Sequence, residues 1–220
     1  MKFWFLLCWL GISALATASN GVQVLGCDRL ELKLDPRLTA EVVQREWGSG
    51  NERVEAPATL ELRGCKGELL DSLALDKPLA RLDPVPLRGT SAPTFLVSVD
   101  LTAEAGSYNG PLTFPVEVKS QHLQRVEATT ADGQREPIRL ALTGKAAWKK
   151  VRAGAGDDLL SVSCQPQGGG DFVIFYRRYH LTRKGWEVRV RSAPGFWESD
   201  GEFPETRMFP AAVRKSTEHE

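Results

Sequence analysis

The chain has little of the chemistry from which most metal centres and hydrolase active sites are built. Its 220 residues include 4 cysteines and 3 histidines, with no C-x-x-C motif and no paired histidines. The usual spacing of zinc ligands is therefore absent, and we expect no metal and no cofactor. A serine or cysteine hydrolase needs a nucleophile beside a positioned base. No G-x-S-x-G motif stands near His122 or His180, so the sequence assigns no catalytic residue.

Phosphate-binding loops are missing as well. The glycine-bearing segment Gly154-Ala155-Gly156 is followed by Asp157 and Asp158, whose charges would repel a phosphate, and no Lys-Ser or Lys-Thr pair follows. Basic and acidic residues balance at 28 each. With no overall positive charge to attract a polyanion, we expect no nucleic-acid partner.

Apolar runs long enough to cross a bilayer are also absent. The longest run, Phe3–Leu15, has 13 residues, and a membrane-spanning helix needs roughly 20. Lys2 precedes this run, and Ala16-Thr17-Ala18 follows it with small residues at the −3 and −1 positions, which is typical of a secretory signal peptide. We therefore expect residues 1–18 to be removed before Ser19. The mature chain would then be soluble, with no transmembrane segment, and periplasmic or secreted; a retained anchor is the alternative.

Export makes a disulfide plausible, because exported proteins fold under oxidising conditions. The mature chain holds Cys27, Cys65 and Cys164, so one thiol is left over. Cys27 and Cys65 each lie at the edge of a strand-like run, beside a glycine, and we predict that they pair. Cys164 continues the apolar alternation of Leu160 and Val162, which predicts a buried and unpaired thiol.

Apolar residues recur at every second position along most of the mature chain. This period is typical of antiparallel strands with one face on a core and the other in water, so polar residues such as Ser98 are expected to face water. Pro115 cannot donate a ladder hydrogen bond, which predicts an edge strand or a bulge there. The alternating sets are Leu30, Leu32 and Leu34; Leu60 and Leu62; Phe95, Val97, Val99 and Leu101; Leu112, Phe114, Val116 and Val118; Ile138, Leu140 and Leu142; Leu160, Val162 and Cys164; and Trp186, Val188 and Val190.

The pattern predicts an all-β, antiparallel fold. A β-sandwich-like domain is expected over residues 19–144, with a C-terminal β-rich, aromatic-rich region over 145–210 as an extension or a second small β domain. Residues 211–220 are predicted to be a disordered tail, and residues 36–46 to form either a helix or a strand. The segment Glu104–Tyr108 resembles the tyrosine corner of immunoglobulin-type sandwiches, which favours the same architecture.

Positive charge is concentrated in the C-terminal region, where residues 145–191 carry 10 basic and 4 acidic residues. A turn over Thr182–Gly185 would place Arg178 opposite Arg189 on neighbouring strands. Like charges directly opposite each other destabilise a sheet, so this pair requires an anion nearby. Tyr176 and His180 would flank Arg178 on the same face, opposite Arg191 and Glu187.

The required anion could be internal or external. An internal anion would come from the acidic loop of Glu198, Asp200, Glu202 and Glu205, and we favour this source because the loop follows directly in the chain. An external anion would be a glycan, a lipid head group or an acidic protein, held by arginine forks with Tyr176 as a stacking platform. The same loop could instead hold a cation or supply the two carboxylates of a glycosidase. The nine aromatic residues of 172–209 predict either a second small core or a stacking surface.

The leading hypothesis is an exported, non-enzymatic binding or interaction protein. The alternatives are an exported glycan-acting hydrolase that uses carboxylates within 198–205, and a structural accessory protein of the envelope. The predicted binding residues are Tyr176, Arg178, His180, Arg189, Arg191, Trp197, Glu198, Asp200 and Glu202.

Overall fold

The computed structural model describes residues 21–35, 56–99, 107–199 and 203–211. Within these residues every regular element is a strand, apart from one short 3-10 turn, so the prediction of an all-β fold is confirmed. None of the described residues belongs to a helix with the length and hydrophobicity of a membrane span. The predicted signal peptide, the ambiguous segment 36–46 and residues 212–220 of the predicted tail lie outside the described residues.

The strands form three sheets. The first has the order β1-β2-β3-β4, the second β11-β7-β6-β5 with β8 beside β7, and the third β10-β9-β15-β14-β13-β12. The strands are β1 (Gly21–Leu25), β2 (Asp28–Lys33), β3 (Thr59–Arg63), β4 (Leu69–Ala74), β5 (Ala80–Leu82), β6 (Thr94–Val99), β7 (Leu112–Lys119), β8 (His122–Arg125), β9 (Glu127–Thr129), β10 (Arg135–Pro137), β11 (Leu140–Ala141), β12 (Ala146–Ala153), β13 (Gly156–Gly168), β14 (Asp171–Thr182) and β15 (Gly185–Pro194); the 3-10 turn spans Thr206–Met208.

The three sheets stack in layers. A first core lies between the first and second sheets, where Leu62 of β3 and Phe95 of β6 belong to one apolar cluster. A second core lies between the opposite face of the second sheet and the third sheet, and includes Leu96 of β6 and Leu159 of β13. Since adjacent residues of β6 enter different cores, this strand is buried along its whole length. β9 and β10, which precede residue 144, belong to the third sheet together with β12–β15.

Burial of the middle sheet corrects one expectation from the sequence. The alternation predicts that Ser98 faces water, yet Ser98 is 6% exposed, because the third sheet covers that side. Its hydroxyl lies 2.7 Å from the hydroxyl of Thr113 on the neighbouring strand β7. A buried hydroxyl without a partner costs free energy, and this pair satisfies both groups.

Pro115 lies in an interior strand rather than at an edge. On one side β7 pairs with β6 from Leu112 to Glu117. On the other side its neighbour changes from β11, which pairs at Leu112 and Thr113, to β8, which pairs from Val116 onward. Between them, the Val126 amide donates to the Pro115 carbonyl at 3.0 Å. The proline therefore occupies the break between two short neighbouring strands, where a missing donor interrupts neither ladder.

The predicted disulfide is present. Cys27 lies in the turn between β1 and β2, and Cys65 lies in the turn between β3 and β4; the two Cα atoms are 4.9 Å apart and the sulfurs are bonded. The bridge ties two neighbouring turns together at one end of the first sheet. Cys164 is buried and unpaired, also as predicted.

Candidate functional site

The hairpin of β14 and β15 has the register that the sequence predicts. Thr182 lies opposite Gly185 across the turn, and the pairing continues without a bulge to Val173 and Pro194. The predicted positions of all cross-strand neighbours are therefore confirmed. These neighbours are Leu181 and Trp186, His180 and Glu187, Tyr179 and Val188, Arg178 and Arg189, Arg177 and Val190, Tyr176 and Arg191, and Phe175 and Ser192.

The side chains of this hairpin alternate between the two faces of the third sheet. Tyr179 and Trp186 enter the second core, on the side of the middle sheet. Tyr176 belongs to a third core on the opposite side, which we call the outer face. By alternation, the outer face carries Tyr176, Arg178 and His180 on β14, and Glu187, Arg189 and Arg191 on β15.

The chain that follows β15 covers one end of the outer face. Trp197, Phe203 and Phe209 from this segment join the third core with Cys164 of β13 and Tyr176. The rings of Phe209 and Tyr176 meet edge to face, with centroids 5.4 Å apart. Tyr176 is buried there, and burial raises the pKa of its hydroxyl. Most of the aromatic-rich stretch is therefore core, and the Tyr176 ring is covered rather than free to stack on a ligand.

Arg178 has an internal anion, but this anion comes from β13 and not from the acidic loop. Its Nε donates to Oδ2 of Asp158 on β13 at 2.6 Å, and Nδ1 of His180 donates to Oδ1 of the same carboxylate at 2.7 Å. Asp158 has 1% of its side chain exposed. The pairing of β13 with β14 puts Leu160 opposite Arg178, which brings Asp158 beside the side chains of both Arg178 and His180.

The described carboxylates of the acidic loop have other partners. Glu198 Oε1 lies 3.1 Å from Nζ of the buried Lys145, and Glu205 Oε2 lies 2.5 Å from Nε of Arg207. Both carboxylates are exposed, so the described part of this loop does not form the enclosed carboxylate pair of a glycosidase. Asp200 and Glu202 lie outside the described residues.

Arg189 and Arg191 differ from Arg178 in their surroundings. Both are exposed on β15, and neither forms an ion pair with any residue that the structure describes. Arg189 lies directly across the hairpin from Arg178, whose charge Asp158 already neutralises. The outer face therefore carries two positive charges that the described fold does not neutralise.

An open cleft of about 850 Å³ lies beyond the hairpin turn. Its lining includes Ser91, Gly156, His180, Thr182, Lys184 and Glu187. The buried Asp157 also reaches it, and accepts hydrogen bonds from the backbone amide of Arg88 at 2.9 Å and from its Nε at 3.2 Å. Adjacent in sequence, Asp157 and Asp158 thus point to opposite faces of β13, each neutralised by its own arginine.

Two glycines in the lining of the cleft approach each other closely. Gly89, at φ +83°, lies against Gly156, and a Cβ atom at position 89 would be 2.7 Å from the Gly156 Cα. No side chain fits between these two backbones. The contact holds the loop after β5 against the start of β13, where Arg88 meets Asp157.

Potential metal ligands cluster at one place in the described part of the chain. Cys27, Asp28 and Cys65 lie close together, but the two cysteine sulfurs are already joined to each other. Asp28 Oδ1 lies 3.6 Å from Cys65 Sγ, which carries no hydrogen in the disulfide. This cluster is a disulfide with a neighbouring acid rather than a set of free thiolates.

Sequence reasoning did not identify Asp158 and Arg88 as part of the site. The available signal was the position of two acidic residues directly before the apolar run that begins at Leu159, since acids leading into a buried strand need partners. No protein-family model, curated protein or solved structure matches the chain. The geometry of the outer face is therefore the basis for the functional argument.

Proposed function

We propose that this protein is a non-enzymatic binding protein that holds an anionic ligand on the outer face of its third sheet. One observation supports the proposal most directly: Arg189 and Arg191 are exposed on the same strand and have no acidic partner among the described residues. Residues two apart on one face of a strand lie about 7 Å from each other. Two guanidinium forks at that spacing can each take a carboxylate, phosphate or sulfate in a bidentate pair.

The contrast with Arg178 strengthens this argument. Arg178 is partly covered and its charge is used inside the fold, on Asp158. Arg189 and Arg191 are not needed for that purpose, and an anion beside them would also relieve the repulsion between Arg189 and Arg178. Binding would therefore involve the arginines of β15, while Arg178, Asp158 and His180 hold the sheet beneath them.

We place this activity outside the cytoplasm. The signal-like residues 1–18 support export, and the Cys27–Cys65 disulfide supports an oxidising compartment, because cytosolic reductants keep most thiols reduced.

The experiment is a salt gradient on an anionic matrix such as sulfated dextran. The double variant Arg189→Glu, Arg191→Glu should elute at clearly lower salt than the parent protein, with an unchanged melting temperature. The matched control is Lys66→Glu, Lys119→Glu, which makes the same change in net charge at two exposed positions away from the third sheet, in the turn between β3 and β4 and at the end of β7. If both double variants lost retention equally, binding would follow net charge alone and the proposed face would be wrong.

A further inference from the structure

We propose that the anionic ligand is an acidic, extended polypeptide that pairs with the free edge of β15 as an added strand. This inference rests on the proposed function and specifies its partner. It depends on three features of β15: an open backbone edge, an alternating pattern of side chains along that edge, and a charge that repels a second copy of the same edge.

The edge of β15 is only partly occupied. β9 pairs with it in parallel at Trp186 and Glu187 and goes no further. From Val188 to Pro194, β15 pairs with β14 on one side, and no described residue pairs with it on the other. Backbone N–H and C=O groups along such an edge point outward without partners, which makes the edge a template for another strand.

The side chains of this edge alternate in a way that specifies the added strand. Arg189 and Arg191 lie on the outer face, and Val190 between them points to the opposite face, where it is 51% exposed. A strand laid alongside would place its own alternate residues next to these. Opposite charges and apolar pairs across neighbouring strands are favourable, so the complementary segment has two acidic residues separated by one apolar residue.

A second copy of this chain does not fit the same edge. Antiparallel self-pairing about Val190 would put Arg189 of one copy opposite Arg191 of the other, and like charges directly opposite are destabilising. The two arginines therefore oppose self-pairing in this register and at the same time select an acidic partner. A glycan or a lipid head group could neutralise the arginines, but neither presents a peptide backbone to the open ladder.

The experiment uses a synthetic peptide, acetyl-Ser-Glu-Val-Glu-Val-Glu-Ser-amide, with the mature protein. A control peptide replaces both valines by proline, which keeps every charge but removes two backbone donors and disfavours the added strand. We expect the first peptide to bind and the proline peptide to bind roughly tenfold more weakly or worse. Arg189→Glu, Arg191→Glu should abolish binding, and Lys66→Glu, Lys119→Glu should leave it unchanged.

Amide hydrogen exchange followed by NMR reports directly on strand addition. Binding should slow exchange at alternate amides between residues 188 and 194. Equal affinity for the two peptides, no change in exchange along this edge, or dimerisation of the protein through it would overturn the inference. If the matrix experiment succeeded while these results failed, anion binding would stand without strand addition. If the arginine variant had no effect in either experiment, both proposals would fall.

Discussion

Arg178 and Asp158 form an ion pair within the third sheet, with Arg178 Nε 2.6 Å from Asp158 Oδ2. The Asp158 carboxylate is almost completely buried. Among the described residues it accepts one other side-chain hydrogen bond, which comes from His180. A buried carboxylate that loses its cation keeps its desolvation cost without the compensating attraction. The stability of the outer face therefore depends strongly on this one contact.

Replacing Arg178 should destabilise the protein without a direct effect on a ligand. We expect Arg178→Ala to lower the free energy of unfolding by about 3 kcal/mol, because it leaves Asp158 buried with only His180 beside it. Urea unfolding measures the change. The matched control is Arg189→Ala, across the hairpin, which should change stability by less than about 0.5 kcal/mol. If both variants lost the same free energy of unfolding, the ion pair between Arg178 and Asp158 would not contribute to stability as argued.

Alkaline pH should destabilise the fold through Tyr179. Burial in the second core raises the pKa of this tyrosine to about 12, from the ordinary value of 10.0. Below about pH 10 the Tyr179 hydroxyl is neutral in both the folded and the unfolded chain, so it does not reduce the free energy of unfolding. Between about pH 10 and 12 the hydroxyl ionises in the unfolded chain but not in the folded one, so the free energy of unfolding falls as pH rises. A gap of about two pH units corresponds to roughly 2 to 3 kcal/mol.

The test is the free energy of unfolding measured across this pH range. Tyr179→Phe should flatten the alkaline decline, whereas the same change at the exposed Tyr108 should leave it in place. A decline that persisted undiminished in Tyr179→Phe would assign it to other groups.

Thiol counting tests the disulfide and the export argument together. The secreted chain, unfolded without reductant, should label at one thiol, that of Cys164, because Cys27 and Cys65 are joined. A chain that kept its first 18 residues would add a second thiol at Cys8. Intact mass should match a chain that begins at Ser19. Three labelled thiols in a chain of that mass would contradict the disulfide, and a mass that includes Met1 would contradict export.

The hairpin of β14 and β15 was predictable because its determinants are local. A turn at Thr182–Gly185 and strict alternation on both sides fix every cross-strand pair within about ten residues of the turn. The same reasoning could not reach the partner of Arg178. Asp158 lies on β13, and its alignment with β14 depends on an irregularity between Pro166 and Gly168, before the glycine turn that joins the two strands.

The burial of the middle sheet was unpredictable for a different reason. The alternation in β6 and β7 describes one apolar face, and it says nothing about whether a further layer covers the other face. Ser98 and Thr113 have the sequence pattern of water-facing residues, yet they satisfy each other beneath the third sheet. Stacking of sheets is a relation between distant segments, so strand periodicity alone does not record it.

The opposite orientations of Asp157 and Asp158 restrict how the length of β13 can vary over evolution. Deleting or inserting one residue within the strand would exchange the two carboxylates between faces, away from Arg88 and Arg178, and would move Leu159 and Leu160 into each other's cores. An extra residue in the turn Gly168–Gly170 would move neither the two carboxylates nor the two leucines. Natural length differences among descendants of this chain should therefore collect at that turn and be absent from residues 156–164.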